Sequence, residues 1–172
     1  MSFRTRTVAV CLAVACCAMS WTLSSRAADA GPCAAPEHRQ FDFWLGDWQV
    51  QRSNGGLAGI NRITTEYGGC VIHERYATGR GYSGESLNVY DATRKAWHQT
   101  WVDSNGLLLT LEGGLNGQAM VMEGETVQPG GARSRQRITW TPNPDGSVRQ
   151  LWEAADAKGV WTVVFDGRYT RK

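Results

Sequence analysis

Apolar and polar side chains alternate along most of this chain, and short runs rich in glycine, asparagine and aspartate interrupt the alternation. A period of two is typical of a β-strand with one buried face, and few windows keep the three-and-four spacing of an amphipathic helix. The pattern predicts no helix. It predicts ten strands, at Phe43–Arg52, Gly59–Tyr67, Cys70–Ala77, Glu85–Asp91, Ala96–Asp103, Leu107–Leu115, Ala119–Thr126, Arg135–Thr141, Val148–Ala155 and Val160–Thr170.

The connections between these strands are short and made of turn-forming residues, as in Gly68-Gly69, Asn116-Gly117 and Asn143–Gly146. Such segments suit tight antiparallel reversals, so each strand is expected to pair with the next along the chain. Closing an up-and-down sheet of this size removes its exposed edges. The sequence therefore predicts an all-β fold, an up-and-down antiparallel β-barrel of about ten strands.

The first thirty residues have the pattern of a signal peptide. Arg4 and Arg6 form a basic start, and Val8–Met19 is an apolar run that is short for a membrane span. Small residues favour cleavage after Ala30, with Ala27 as a second option. We therefore expect residues 1–30 to direct export to the periplasm or the medium, and residues 31–172 to form the barrel domain.

A second interpretation of the leader is a lipid anchor. Ala13-Val14-Ala15-Cys16 resembles a lipobox, which would place a lipid on Cys16. Its first residue is alanine rather than the usual leucine, and the apolar run would be cut short. The lipoprotein is therefore the minor alternative to a freely exported protein.

Charge excludes several partner classes. The chain has 18 basic and 16 acidic residues, and the leader holds three of the arginines and one aspartate, so the remainder is electrically balanced. A balanced domain offers no bulk attraction to nucleic acid or to anionic membranes. We expect no nucleic-acid partner and no transmembrane segment in the mature chain, and the sequence leaves the oligomeric state open.

Cysteine usage also fits export. Three of the five cysteines lie in the leader, and the mature chain keeps Cys33 and Cys70. Two cysteines in an exported protein are paired more often than free. We predict a Cys33–Cys70 disulfide, with an unpaired Cys33 on a frayed terminus as the alternative.

Tryptophan and glutamine recur together on one face of the predicted strands. Trp97, Gln99 and Trp101 share a face of one strand, and Gln150 and Trp152 share a face of another. A filled barrel would instead show aliphatic side chains on its inner face throughout. The mixture is typical of a pocket for a polar small molecule.

Both ends of the domain resemble lipocalins and their calycin relatives. Gly46-Asp47-Trp48 opens the first strand, and Arg168 and Arg171 lie on the last. In calycins, the tryptophan of a Gly-x-Trp motif packs under an arginine of the last strand. The resemblance implies a structural role for Trp48 with Arg171, which is nearer the end of the strand, or Arg168, rather than a ligand gate.

Longer motifs resemble a group of exported bacterial proteins described only as a domain of unknown function with a calycin-like or lipocalin-like barrel. They are FDFWLGDW at 41–48, GGCVIHERY at 68–76, SLNVYD at 86–91, WHQTWVD at 97–103, RITWTPNPDGSVRQLWE at 137–153 and FDGRYTR at 165–171. The resemblance covers nearly the whole mature chain. It implies a calycin-like barrel and no particular reaction.

Alternation and this resemblance together place eight residues on the inner face as candidate ligand-binding positions. They are Asn61, Glu74, Asn88, Gln99, Trp101, Trp140, Gln150 and Trp152. A polar network around ordered water, which only fixes the fold, is the alternative. The assignment depends on strand register, because one bulge moves later side chains to the other face.

Glu74 is the weak candidate for a catalytic group. A carboxyl inside an apolar-walled barrel has a raised pKa and can act as a general acid or base. The sequence supplies no clear partner for it. The alternative is a solvated or salt-bridged strand residue.

The three histidines of the chain are dispersed. If the amide face is inside, His73 and His98 point outwards, and His38 precedes the barrel. We therefore predict no metal site. Haem held by one histidine, as in the nitrobindin branch of ten-stranded barrels, is a fold-level analogy only, and no cofactor is predicted.

The leading functional hypothesis is thus an exported barrel that binds a small molecule of unknown identity. One alternative is an enzyme on the same barrel that uses Glu74 as general acid or base. The other is a non-catalytic structural or interaction protein of the cell envelope. The continuous apolar run Leu107–Leu111 is relevant to this last alternative, because it predicts either a strand buried on both faces or an exposed patch.

Overall fold

The computed structural model describes residues 31–127 and 130–172. The predicted signal peptide and the alternative lipid site at Cys16 lie outside these residues. Among the described residues, no helix is long and apolar enough to cross a membrane.

Ten antiparallel strands form one closed barrel in which each strand pairs with the next and the last pairs with the first. This confirms the predicted all-β, up-and-down, calycin-like architecture. The strands are β1 Gly46–Arg52, β2 Leu57–Glu66, β3 Val71–Ala77, β4 Ser83–Asp91, β5 Ala96–Asp103, β6 Leu108–Asn116, β7 Ala119–Val127, β8 Arg133–Pro142, β9 Val148–Ala155 and β10 Trp161–Arg171.

The prediction of no helix was wrong for three short segments. They form 3-10 helices at Pro36–Arg39, Asp42–Trp44 and Tyr67–Gly69. The first strand therefore begins at Gly46, not at Phe43. Backbone bonds from Trp44 N–H to the Phe41 carbonyl and from Leu45 N–H to the Asp42 carbonyl, both 3.1 Å, close the turn. The turn lets Phe41 and Trp44 enter the same core, which an extended segment would not.

These two rings plug one end of the barrel. The Phe41 and Trp44 rings stack with their centroids 4.8 Å apart. Phe41 also meets Trp97 and Trp140 edge-on, and all four side chains are buried. Edge-to-face and stacked ring pairs stabilise the fold beyond the gain from burying the rings themselves. The barrel is therefore closed at this end by aromatic packing.

A disulfide fastens residues 31–45, the segment before β1 that we call the lead-in, to the barrel wall. Cys33 and Cys70 are bonded, which confirms the predicted pairing and joins the lead-in to the connection between β2 and β3. Gln40 on the same lead-in accepts a hydrogen bond of 3.1 Å from the Trp97 indole N–H. A bridge of this kind stabilises a domain by about 2–4 kcal/mol. It is compatible with an exported protein, because disulfides persist in oxidising compartments.

Trp48 and Arg171 join the first and last strands. They are register partners between β1 and β10, and the guanidinium carbon lies 4.5 Å from the centre of the buried indole. Arg171 also donates a hydrogen bond of 3.2 Å to the Leu45 carbonyl. Gly46 makes this possible, because a Cβ there would lie 2.5 Å from the guanidinium. Arg168 does not share this role, since it pairs with the exposed Asp145.

Two β-bulges flank β1 at the opposite end. The register between β1 and β2 skips Ala58, and the register between β10 and β9 skips Val164. Each bulge inserts one extra residue and bends the strand locally. Phe165 consequently points inwards directly after two exposed valines.

One interpretation of the sequence placed the apolar run Leu107–Leu111 in a strand buried on both faces. That interpretation was wrong. Leu109 and Leu111 are buried, whereas Leu108 is 63% exposed. The lead-in crosses the end of the barrel rather than its wall, so it does not cover the outer face of β6.

Replacing Arg171 by alanine should lower the free energy of unfolding by about 1–2 kcal/mol, because Trp48 loses both its cation–π partner and its cover. Arg168→Ala is the matched control, and loss of its exposed ion pair should cost less than about 0.5 kcal/mol. Urea denaturation followed by circular dichroism measures both. Equal losses in the two variants would contradict a special role for Arg171.

Candidate functional site

A cavity of about 650 Å³ occupies the barrel between the aromatic plug and the opposite end. It extends from the buried Glu74 and Gln99 to the exposed Leu57 and Arg80. The hairpins that join β1 to β2 and β3 to β4 lie at this outer end, which we call the mouth. A barrel of this size is wide enough to hold one small ligand.

Apolar rings and aliphatic side chains form the cavity wall. They are Trp101, Leu109, Ile138, Trp152 and Phe165. Two glycines make room for the rings: a Cβ at Gly84 would lie 2.3 Å from the Trp101 ring, and one at Gly167 would lie 2.5 Å from Phe165. The ring positions therefore depend on residues that have no side chain.

A polar network forms the floor of the cavity around Glu74. The carboxyl Oε1 accepts a hydrogen bond of 2.7 Å from the Asn61 amide, and Oε2 accepts one of 2.7 Å from the Ser86 hydroxyl. Asn88 donates to the Ser86 hydroxyl at 3.0 Å, and Gln99 donates to Asn88 Oδ1 at 2.8 Å. The network runs across β2, β3, β4 and β5 and is buried throughout.

A second polar branch approaches the floor from the other side. The Tyr169 hydroxyl donates to Gln150 Oε1 and accepts a hydrogen bond of 3.4 Å from the Asn61 amide. Separately from this branch, the Trp152 indole N–H donates to Gln136 Oε1 at 2.8 Å. These bonds fix the orientation of Gln150 and Trp152 along the wall.

Burial controls the ionisation of the floor. It raises the pKa of Glu74 to about 7, although the hydrogen bonds from Ser86 and Asn61 and the charge of His73 lower it in part. Burial, together with the Glu74 charge, also raises the pKa of Tyr169 well above its ordinary value. Near neutral pH, Glu74 can therefore either hold or release a proton, whereas Tyr169 keeps its own.

The charged groups near the mouth are two arginines and the carboxylate of Asp103. Arg52 and Arg80 line the mouth, and Arg52 donates a hydrogen bond of 2.8 Å to the Leu57 carbonyl. The Tyr82 hydroxyl donates to Asp103 Oδ2 at 2.9 Å. Burial raises the pKa of Asp103, but hydrogen bonds from Leu107, Tyr82 and other neighbours outweigh it and leave that pKa below its ordinary value.

The structure brings five of the eight predicted positions to the cavity surface. Asn61 and Asn88 are buried behind this surface as partners of Glu74 and Gln99. Trp140 belongs to the aromatic plug, where it contacts Phe41 and Trp44. Alternation indicates which face a side chain takes but not its depth along the barrel. The five that line the cavity are Glu74, Gln99, Trp101, Gln150 and Trp152.

The sequence-based selection missed several residues of the site. Tyr76, Ser86 and Tyr169 each lie two positions from a residue that was selected or assigned a structural role, so the same alternation could have found them. Alternation counted back from Arg171 through Tyr169 also reaches Phe165, but counted forward from Trp161 it gives the opposite face, because the bulge at Val164 lies between them. Arg52 lies at a strand end, where the pattern does not define a face.

The alternative for Glu74, a solvated or salt-bridged strand residue, was wrong. The Glu74 side chain is buried, and its hydrogen-bond partners in the described part of the chain are an amide and a hydroxyl.

The histidines lie away from the cavity. His73 points outwards between Glu66 and Glu85, at 3.1 and 2.8 Å, and His98 lies beside Glu112 on the outer face. His38, which lies in the lead-in, packs against Tyr90 of β4. Residues 31–127 and 130–172 contain no group of three potential metal ligands.

Compared with models of protein families and with curated proteins, the chain matches none. The resemblance to the exported calycin-like group therefore stays a prediction. What the protein does is argued below from the geometry of the barrel.

The buried carboxyl of Glu74 should make the protein less stable as pH rises. Because the pKa of Glu74 is about 7 in the folded state against an ordinary 4.5, the folded state holds more protons between these values. The contribution is fully present below about pH 4.5 and is lost as pH rises through about 7, a change on the order of 3 kcal/mol.

Urea denaturation at pH 5 and pH 8 should therefore show a larger loss of unfolding free energy in the native protein than in Glu74→Gln. Glu125→Gln, which removes an exposed carboxyl that pairs with Arg133, is the matched control and should follow the native profile. Parallel profiles for the native protein and Glu74→Gln would contradict a raised pKa at Glu74.

Proposed function

We propose that this protein binds a small organic molecule inside its barrel, and that it does so in the periplasm or outside the cell. The observation that carries the proposal is the cavity of about 650 Å³, which opens at the mouth and ends on a hydrogen-bonding floor. Its volume lies within the range of known ligand sites, roughly 300–1,000 Å³.

The composition of the cavity supports binding rather than simple core filling. Its wall presents Trp101, Trp152 and Phe165, while its floor presents Glu74 and Gln99. Apolar walls with a few oriented polar groups are typical of small-molecule sites, where burial supplies affinity and hydrogen bonds supply specificity. A barrel that served only as a scaffold would be more stable with aliphatic side chains in these positions.

Export is supported by two independent features. The leader has the pattern of a signal peptide, and the barrel domain contains a disulfide. Reducing compartments rarely maintain structural disulfides. We therefore place the ligand among molecules met outside the cytoplasm.

Native mass spectrometry of the mature protein, purified from the envelope of its source cell, should show extra mass that denaturation removes. Trp101→Ala and the nearly isosteric Gln99→Leu should reduce the fraction carrying this mass at least tenfold, because each removes one contact group of the cavity. Trp161→Ala is the matched control. Its ring lies on the outer face under Arg137, so ligand retention should be unchanged.

Circular dichroism should first be used to check that each variant is folded. A native protein with a bare polypeptide mass, or equal loss of ligand in Trp161→Ala, would contradict the proposal.

Acid–base catalysis is the second candidate function, and the position of Glu74 favours it. The carboxyl lines a cavity with apolar walls and has a pKa of about 7, which suits proton transfer near neutral pH. On an uncharged substrate, Glu74→Gln should abolish turnover in single-turnover assays while the Kd changes less than about threefold. Loss of affinity together with turnover would instead assign Glu74 to binding.

The interaction-protein alternative has less support. Val102 and Leu108 are exposed and paired across β5 and β6, and they are the main outward apolar pair near the run Leu107–Leu111. Small exposed apolar pairs are common on soluble proteins and do not by themselves indicate a partner.

A further inference from the structure

Among the residues that the structure describes, the carboxyl of Glu74 has no positive partner inside the barrel. Asn61 on β2 and Ser86 on β4 contact it, and both are neutral. Tyr76 and Tyr169 face the same cavity, and burial raises the pKa of each, so they remain protonated and uncharged. His73 lies on the outer face of β3 and is already shared between two carboxylates. An ionised Glu74 would thus be a buried, unpaired charge, which is costly.

Glu74 also keeps acceptor capacity toward the cavity. Each oxygen accepts one hydrogen bond from the protein, whereas a carboxylate oxygen has two acceptor positions. The neighbouring donors are directed elsewhere: Tyr169 donates to Gln150, and Gln99 donates to Asn88. The carboxyl is held rigidly, and each of its oxygens keeps a free acceptor position. A hydrogen-bond donor of a ligand in the cavity can therefore bind to it.

The surfaces around this carboxyl suit a positive charge. Tyr76, Trp101, Trp152, Phe165 and Tyr169 line the same cavity. Aromatic faces attract an ammonium group through their quadrupole, most strongly where water is excluded. A carboxylate beneath aromatic walls is thus complementary to an organic cation.

We propose that the ligand is an organic amine, whose ammonium group donates to the Glu74 carboxylate at the floor while its apolar body lies along the aromatic wall. This inference rests on the proposed function, namely that the cavity binds a small molecule. Binding would supply the counter-charge that the barrel lacks. A charge-assisted hydrogen bond in a buried site is about twice as strong as a neutral one.

The mouth sets the orientation of such a ligand. Arg52 and Arg80 repel a cation at the entrance, so the ammonium is favoured at the floor and the apolar end at the mouth. The same two arginines make an organic anion the rival ligand class, because a carboxylate could bind to them without reaching Glu74. The two classes therefore predict opposite preferences for the head group.

Calorimetric titration with three probes that share one ring system tests this inference: naphthylethylamine, naphthylethanol and naphthylacetate. At pH 8, the native protein should bind the amine at least tenfold more tightly than the alcohol and the acetate. In Glu74→Gln, the preference for the amine over the alcohol should fall below about threefold. Glu125→Gln, which removes an exposed carboxyl that pairs with Arg133, should keep the full preference.

A second readout separates charge pairing from a merely structural effect of Glu74. At pH 6, the amine should release a proton from the native protein, which appears as a binding enthalpy that depends on the ionisation enthalpy of the buffer. This dependence should vanish in Glu74→Gln, whose folding is checked by circular dichroism.

The outcomes distinguish the two levels of the argument. Binding of the alcohol as tightly as the amine, or tighter binding of the acetate, would overturn the amine inference and leave small-molecule binding in place. Failure of all three probes to bind at millimolar concentration would count against both. An amine preference that persists in Glu74→Gln would show that another group recognises the head group.

Discussion

The closure of the sheet between its first and last strands is the constraint on which the rest of this structure depends. An up-and-down sheet with two open edges would expose unpaired backbone groups and could not enclose a cavity. Trp48 and Arg171 stack across this seam, and the absence of a side chain at Gly46 lets the guanidinium approach. The seam therefore joins residues from the two ends of the domain, which the chain brings together only when all ten strands are in register.

Closure also makes the two ends of the barrel different. At the plugged end, Phe41 and Trp44 fill the interior, and the Cys33–Cys70 bond holds their segment in place. At the mouth, bulges at Ala58 and Val164 bend the strands on either side of β1. Apolar packing is thus concentrated at one end, and the resulting stability allows the other end to remain hollow.

The hollow part contains features that a purely structural barrel would avoid. Glu74 is buried in a network of neutral donors, and that burial favours its protonated form. Natural proteins retain such costly groups mainly at sites that act on other molecules. The amides and hydroxyls around Glu74 hold the carboxyl in one orientation, as recognition of a small ligand requires.

Alternation along the sequence determined much of this protein: ten strands, their order, the inner face and the inward direction of Glu74, Gln99 and Trp152. These are local properties, because the period-two pattern fixes which side chains share a face. Depth along the barrel was decided only by the tertiary structure. Trp140 and Trp152 are equally inward, yet one packs in the plug and the other lines the cavity.

The tertiary structure also decided two contacts: the packing of Phe41 against Trp140, and the selection of Asn61 and Ser86 as the partners of Glu74. Each joins residues that are distant in the sequence and that only the closed barrel places side by side.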